Sequence, residues 1–344
     1  MIERTKGNLL KADAEALVNT VNCVGYMGKG IALQFKQAFP ENFEVYQKAC
    51  HTGDVKPGSM FIFKTGSMFN PKYIINFPTK RHWRGDSKID DIKAGLVALV
   101  QEIKQLNIQS VAVPPLGCGL GGLNWNLVRP MIEKAFEALP EVQVFLFAPE
   151  GAPNEKQMPV RTERPQLTVA RALFLKLMEQ YLIPAYRLTL LEIQKLAYFL
   201  QEAGEPLRLK YEAGLYGPYA HNLNKVLEIL EGHYIRGYGD SQRPDVELEL
   251  LNDAIGEATT YLANNTQSTE RLTRVAEVIE GFETPYGLEL LSSVHWVATH
   301  GEVRAQDEES AIAGIHSWNE RKRAMFKPNH IRMAWRRLQE QHWI

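Results

Sequence analysis

From residue 1 to about residue 150, short apolar runs alternate with stretches whose apolar residues recur at helical spacing. The runs at 2–5, 16–22, 60–64, 73–77, 110–114 and 142–148 are rich in Val, Ile and Phe and too short for helices. They predict strands of a sheet covered on both faces. Between them, 30–38, 42–51, 89–106 and 124–139 predict helices. In the third, Ile92, Gly95, Leu96, Leu99, Val100 and Ile103 fall on one face. Strand and helix in alternation make an α/β layered domain, assigned to residues 1–155.

The pattern then breaks. Residues 149–165 are poor in apolar side chains and interrupted by Pro149, Pro153, Pro159 and Pro165, which places a linker at 156–166. From 167 to 344 helical spacing dominates, over 168–182, 189–202, 221–231, 253–264, 270–282, 285–300, 308–315 and 328–341. Thr189 followed by Glu192 reads as a capping box opening the second of these, with Ile193, Leu196, Ala197 and Leu200 on its apolar face. Residues 207–216 and 246–251 alternate instead, so this domain is expected to be mostly α with a small antiparallel sheet.

Composition narrows the class without choosing a function. Over 344 residues, 45% are hydrophobic and 23% charged, as in ordinary soluble proteins. No apolar run is long enough to span a bilayer and the first residues lack a secretion signal, so the expected location is the cytoplasm, with no membrane partner. Cys23, Cys50 and Cys118 are odd in number and irregularly spaced, which predicts free thiols. His295 and His300 are not spaced as a zinc pair on one helical turn, and no metal or cofactor is expected. The net charge is −1, and up to residue 155 there are 17 basic against 15 acidic residues. Any contact with nucleic acid must therefore be made by local patches.

Two loops have compositions that a packed core does not need. The strand 16–22 runs into Cys23-Val24-Gly25-Tyr26-Met27-Gly28-Lys29-Gly30, and a helix follows at once. The strand 110–114 runs into Pro115-Leu116-Gly117-Cys118-Gly119-Leu120-Gly121-Gly122-Leu123-Asn124-Trp125, again before a helix. Glycines at such junctions bring backbone N–H groups close to a ligand, and helix N-termini favour phosphate. Two such loops on one sheet can clamp a diphosphate from both sides.

These residues resemble the macrodomain family of ADP-ribose binders. The resemblance covers about the first 150 residues and rests on Gly7-Asn8-Leu9-Leu10, Val18-Asn19-Thr20-Val21-Asn22, Met27-Gly28-Lys29-Gly30-Ile31-Ala32 and Gly117 to Trp125. It implies a three-layer α/β/α fold around a mixed sheet, with ADP-ribose at the sheet's crest. Asn8 and Leu9 would lie at the adenine end. Thr20, Val21, Asn22, Gly28, Lys29, Gly30, Ile31, Ala32 and Leu33 would follow the phosphates and distal ribose. Gly117, Cys118, Gly119, Leu120 and Gly121 would complete the clamp.

Within that family, Asn76-Phe77-Pro78-Thr79-Lys80 is similar to the lysine-dependent subgroup, which includes terminal ADP-ribose glycohydrolases and the bacterial DarG antitoxins. The resemblance implies Lys80 as the catalytic residue, with Thr79 beside it in the pocket, and ADP-ribosylated, single-stranded DNA as substrate. Relatives acting on protein carboxyl esters carry an aspartate in the second loop, where this chain has Gly121-Gly122. Removal of ADP-ribose from protein carboxylates, or non-catalytic reading of ADP-ribose, remain the alternatives. An amine that captures the anomeric carbon must be neutral, so burial or a cationic neighbour such as Arg81 or Arg84 must lower its pKa from ~10.4. Alternatively Lys80 stays charged and acts electrostatically. Asn22 also reads as a turn residue, and Cys118 as a small loop residue rather than a nucleophile. His82 and Trp83 read either as an aromatic platform for a base or as ordinary packing and exposure.

In the second half, Leu191 to Phe199, Gly204 to Leu207 and Leu215-Tyr216-Gly217-Pro218-Tyr219 are similar to an antitoxin domain called Panacea. The similarity implies a partner-binding module for a DarT-type ADP-ribosyltransferase toxin. Helices with a wing also fit DNA binding through Arg321-Lys322-Arg323 or Arg336-Arg337, although solvated helix faces carry such runs as well. The acidic Asp245, Glu247, Glu249 and Asp307-Glu308-Glu309 fit the opposite expectation, a surface that meets the toxin by charge complementarity.

Overall fold

The computed structural model describes residues 1–149, 158–180, 188–239, 244–251, 253–301 and 303–344. Residues 156–157 of the expected linker and 181–182 of the expected helix over 168–182 lie outside the described residues. The chain divides into two compact units, Met1–Arg164 with Gly239–Gln242, and Pro165–Tyr238 with Arg243–Ile344.

The first unit is built on six strands: β1 (Ile2–Thr5), β2 (Ala16–Asn22), β3 (Phe61–Lys64), β4 (Tyr73–Lys80), β5 (Ser110–Val113) and β6 (Gln143–Phe147). Their order is β1-β6-β5-β2-β4-β3, parallel throughout except that β3 runs antiparallel to β4. This is the expected mixed sheet. Among the described residues its α-helices are α1 (Gly30–Ala38), α2 (Pro40–Thr52), α3 (Ile89–Gln105) and α4 (Trp125–Phe136). Strand residues alternate between the two faces, as the pleat requires. Ala16, Val18, Ile75 and Phe77 join Ile92, Leu96, Leu99 and Ile132 of α3 and α4 in one core. Leu17 and Ile74 join Phe35 and Ala38 of α1, and Val21 joins Tyr46 and Ala49 of α2, on the other side. Three layers result.

The sequence pattern ends β4 at Phe77 because Pro78 cannot donate to a ladder. The strand nevertheless continues to Lys80. Its pairing with β3 stops at Asn76, so beyond that point only β2 needs partners from β4 and the missing N–H is tolerated. Those three extra residues carry Thr79 and Lys80 up to the crest.

Gly95 lets α3 approach the sheet. A Cβ there would lie 2.2 Å from the Phe77 ring. We expect Gly95→Ala to lower unfolding free energy by about 1–2 kcal/mol in urea titrations, overpacking outweighing the better helix propensity.

The second unit contains α5 (Val169–Gln180), β7 (Leu188–Thr189), α6 (Leu190–Glu202), β8 (Tyr211–Gly214), β9 (Gly217–Ala220), α7 (Leu223–Leu230), β10 (Ile235–Arg236), β11 (Glu247–Leu250), α8 (Ala254–Leu262), α9 (Thr266–Ile279), α10 (Pro285–Thr299), α11 (Glu308–Trp318), α12 (Glu320–Met325) and α13 (Pro328–Glu340). The capping box forms, with Thr189 and Glu192 bonded reciprocally at the start of α6. Residues 207–216 do not make one strand: β8 turns at Leu215-Tyr216 into β9, forming a hairpin separate from the small sheet β10-β11-β7. At the centre, α10 is buried continuously from Gly287 to His295.

Charges in this unit are spent internally. Lys322, expected on a basic surface, is fully buried against Glu289, and Arg321 pairs with the same carboxylate. Arg336 pairs with Glu308, Arg332 with Glu309, and Arg337 with Glu280. Asp307 caps α11. Arg323 is exposed and donates to the His316 carbonyl at 3.0 Å, so most, though not all, of the charge in these runs is matched within the unit. His295 is a core histidine beside Tyr198, its pKa pushed down to about 3 by burial.

Candidate active site

Lys80 ends β4 opposite Asn22, which ends β2. Its ammonium nitrogen donates to the Leu120 carbonyl in the second glycine loop. Burial lowers the pKa of this amine, and the charge of Asp86 opposes that shift. The expected cationic neighbours are not the cause: Arg81 is committed to Asp91, bound through Nη2 at 2.9 Å and Nε at 3.2 Å. Lys80 thus lies in a partly dry position that favours loss of its proton.

The first loop is shaped by Asn22. Its Oδ1 accepts from the Val24 amide at 3.0 Å and the Tyr26 amide at 3.3 Å, and its Nδ2 donates to the Tyr26 carbonyl. Tyr46 fixes it from beneath, donating its hydroxyl to the Asn22 carbonyl at 2.6 Å. The side chain expected along the phosphates is therefore the key of the turn that forms the first glycine loop. The Tyr26 ring lies flat over Gly28, where a Cβ would come within 2.4 Å of it. Gly30 opens α1 at φ +59°, and a Cβ there would touch the Leu120 side chain at 3.3 Å. The two glycine loops thus face each other across the space that Lys80 reaches.

The second loop is a series of tight turns. The Cys118 amide donates to the Pro115 carbonyl and the Leu123 amide to the Gly117 carbonyl, each at 3.0 Å. Gly121 is buried, and its carbonyl accepts from the Ser87 amide at 3.0 Å. A Cβ on Gly121 would lie 2.3 Å from Ser87 Oγ and 2.4 Å from the Gly117 carbonyl oxygen. The backbone itself excludes a carboxylate at this position.

The remaining expected site residues divide by burial. Asn8 caps the short 3-10 helix Leu9–Lys11, its Oδ1 accepting from the Leu10 amide at 3.0 Å. Thr20, Lys29, Ile31, Ala32 and Leu120 are half-buried, and Gly119 is exposed. Leu9, Val21 and Leu33 are core side chains. The Leu33 amide donates to the Lys29 carbonyl at 3.4 Å, and its side chain packs inward. Thr79 is buried and gives its hydroxyl to the Val21 carbonyl. Burial pushes the Cys118 thiol pKa up to about 11, and the thiol donates to the Leu116 carbonyl at 3.4 Å, which disfavours the thiolate form.

Residues 18–132 match the Macro domain family model. A DNA ADP-ribosyl glycohydrolase of Thermus aquaticus is 47% identical over 334 residues, covering 97% of this chain and 92% of its own. The chain belongs to the DNA ADP-ribosyl glycohydrolase family. A Mycobacterium tuberculosis DNA ADP-ribosyl glycohydrolase is 43% identical over 98% of this chain and 99% of its own. In Thermosipho africanus, a DNA ADP-ribosyl transferase-DNA ADP-ribosyl glycohydrolase fusion protein is 35% identical over 45% of this chain and 42% of its own.

Sequence reasoning passed over four residues around this glycohydrolase site. Tyr46, from α2, holds Asn22 through both its backbone carbonyl and its Oδ1, and Ser87 gives its amide to the Gly121 carbonyl. Asp86 acts on Lys80 through its charge. Tyr26 was visible as an aromatic inside a glycine loop, a composition that a plain turn does not require. We expect Gly121→Ala to weaken ADP-ribose binding by about tenfold or more by calorimetry, because Gly117 must shift to admit the methyl group.

Proposed function

We propose that this chain releases ADP-ribose from ADP-ribosylated DNA bases, with Lys80 as the group that acts on the distal ribose. The observation that carries this reading is the amine of Lys80 held between two facing glycine loops, in a position whose burial favours the neutral form. Facing turns lined by amides suit a diphosphate. When the bond from the anomeric carbon to the base breaks, positive charge develops on that carbon. The lone pair of Lys80 captures it, the base leaves with its electron pair and takes a proton, and water then displaces the amine to give free ADP-ribose. The absence of an aspartate in that loop, where this chain has Gly121-Gly122, counts against the ester-cleaving alternative, which the resemblance associates with one.

The substrate we assign is single-stranded, since a base inside a duplex cannot reach the crest without leaving its stack. The second unit serves as the docking module for the DNA ADP-ribosyltransferase that installs the modification, so that the chain acts as an antitoxin by reversal and by sequestration, in the cytoplasm. The Thermosipho fusion protein, whose name joins the transferase and the glycohydrolase in one polypeptide, supports that pairing.

The deciding experiment compares release from ADP-ribosylated oligonucleotide and from ADP-ribosylated carboxylates, with the intact protein and with Lys80→Ala. Release from DNA alone, lost in the variant, is the expected result. Binding of free ADP-ribose without release from either substrate would make the protein a reader and overturn the assignment.

A further inference from the structure

The loop after β4 carries the sequence Lys80-Arg81-His82-Trp83-Arg84-Gly85-Asp86-Ser87-Lys88, four basic or potentially basic side chains besides Lys80 itself in a chain whose net charge is −1. Its shape is fixed. The Gly85 amide donates to the His82 carbonyl at 3.0 Å, the Arg84 amide to His82 Nδ1 at 3.2 Å, and the Ser87 amide to Gly121 in the second loop. This turn aligns a row of rings. Tyr26, from the loop after β2, lies 5.4 Å from Trp83 between centroids, and His82 stacks on Trp83 at 5.5 Å with 28° between planes. The guanidinium of Arg84 sits 4.5 Å over the Trp83 ring. Trp83 is half-buried, while His82 and Arg84 are exposed. The row therefore stands just past the ends of the two strands that supply Asn22 and Lys80, and Tyr26 ties it to Gly28 of the phosphate loop.

Trp83, His82 and Arg84 lie outside both glycine loops. An aromatic row with an exposed cation on its face, next to the point where the scissile bond must lie, matches what single-stranded nucleic acid requires: π-faces for bases and a positive charge for the backbone. We propose that Tyr26, Trp83 and His82 form a stacking wall for a base of the modified strand, and that Arg84 moves from the Trp83 face to a phosphate when the strand arrives. An exposed cation–π contact is weaker than a base–aromatic stack, so the exchange runs toward the bound strand. The inference rests on the activity proposed above and names what selects the DNA part of the substrate.

The test uses the full-length chain, with Trp83→Ala, Trp83→Phe and Arg84→Ala. Turnover of an ADP-ribosylated single-stranded oligonucleotide is measured beside calorimetric affinity for free ADP-ribose. Trp83→Ala is expected to lower kcat/KM on the oligonucleotide by roughly 10- to 100-fold, Trp83→Phe to keep most of it, and Arg84→Ala to give a smaller loss with a shallower salt dependence. Affinity for free ADP-ribose stays within about twofold of the intact protein, since no stacked base is involved. Unchanged turnover in Trp83→Ala, or an equal loss of ADP-ribose affinity, overturns the wall. Should the intact protein release nothing, the proposed activity is what fails. The wall is then judged by oligonucleotide affinity in a Lys80→Ala background, where an added Trp83→Ala must weaken binding or the inference is wrong.

Discussion

Lys80→Ala is expected to slow ADP-ribose release from modified DNA by roughly 10²–10⁴-fold, the range that a single acid, base or electrostatic group contributes. Affinity for free ADP-ribose should change far less, because the loops rather than the lysine supply the diphosphate contacts. The pH profile separates the two ways in which the amine can work. If Lys80 must be neutral, kcat rises with pH up to the lowered pKa of the amine and then levels. Asp86 raises that pKa, so Asp86→Asn moves the rising limb to lower pH. If the lysine works as a cation instead, kcat falls as pH climbs through the same pKa, and Lys80→Arg keeps part of the activity. A rising limb that shifts in Asp86→Asn, with an inert arginine variant, is the result expected from burial of the amine. Loss of activity in Lys80→Ala without any pH dependence attached to position 80 would contradict it.

The reach of that lysine was only half legible in the sequence. The glycine loops stood out because their composition has no use in a core, and the helix start at Gly30 was visible from the periodic residues behind it. The short apolar run placed Ala16–Asn22 correctly, since each of its two faces meets a different apolar layer. Lys80 itself fell outside its strand in the sequence reading, because Pro78 ends a ladder unless one side of the strand is unpaired, and that condition depends on where β3 stops. Asn22 was readable as a turn residue, but what fixes it, and what Gly121 must fit, was hidden for a related reason. Each is decided by a partner far along the chain, Tyr46 beneath one and Ser87 against the other. In the second unit the capping box is local and was readable. The hairpin β8–β9 was not, because the two-residue turn at Leu215-Tyr216 lacks the Asn-Gly or Asp-Gly signature. Short α12 was missed too, hidden in a basic run that looked like a solvated face. Its start depends on Asn319, whose side chain accepts from the Lys322 amide.

That same run sets up the largest stability effect expected in the molecule. Glu289 is buried on α10, and its Oε1 accepts from Lys322 Nζ at 2.8 Å and from Arg321 Nη1 at 2.6 Å. Lys322 is further held by Ser293 Oγ at 3.0 Å and lies over the rings of Trp318 and Phe326. Lys195, also buried, donates to the Pro218 carbonyl at 2.7 Å. Burial first, and Lys322 second, push its pKa down to about 7, while Glu289 holds it up. Glu289 is thus the carboxylate that compensates a buried cluster of cations. Glu289→Gln removes that charge but keeps the volume, and should destabilise the second unit by about 3–5 kcal/mol at neutral pH, the usual cost of leaving a buried ion without its partner. The pH dependence has a definite sign. An unfolded lysine holds its proton up to ~10.4, whereas folded Lys195 releases its proton near 7. Between those values the unfolded chain binds more protons, so stability rises with pH. In Glu289→Gln the folded pKa values of Lys195 and Lys322 fall further, and the rise from pH 7 to 9 becomes steeper. Urea unfolding followed by tryptophan fluorescence at both pH values reads this directly, with Trp296, Trp318, Trp335 and Trp343 reporting from this unit. Because the first unit has its own cores, glycohydrolase turnover should survive the substitution while capture of the transferase fails. A variant as stable as the intact protein at pH 7 would mean that the cluster is not held by its carboxylate.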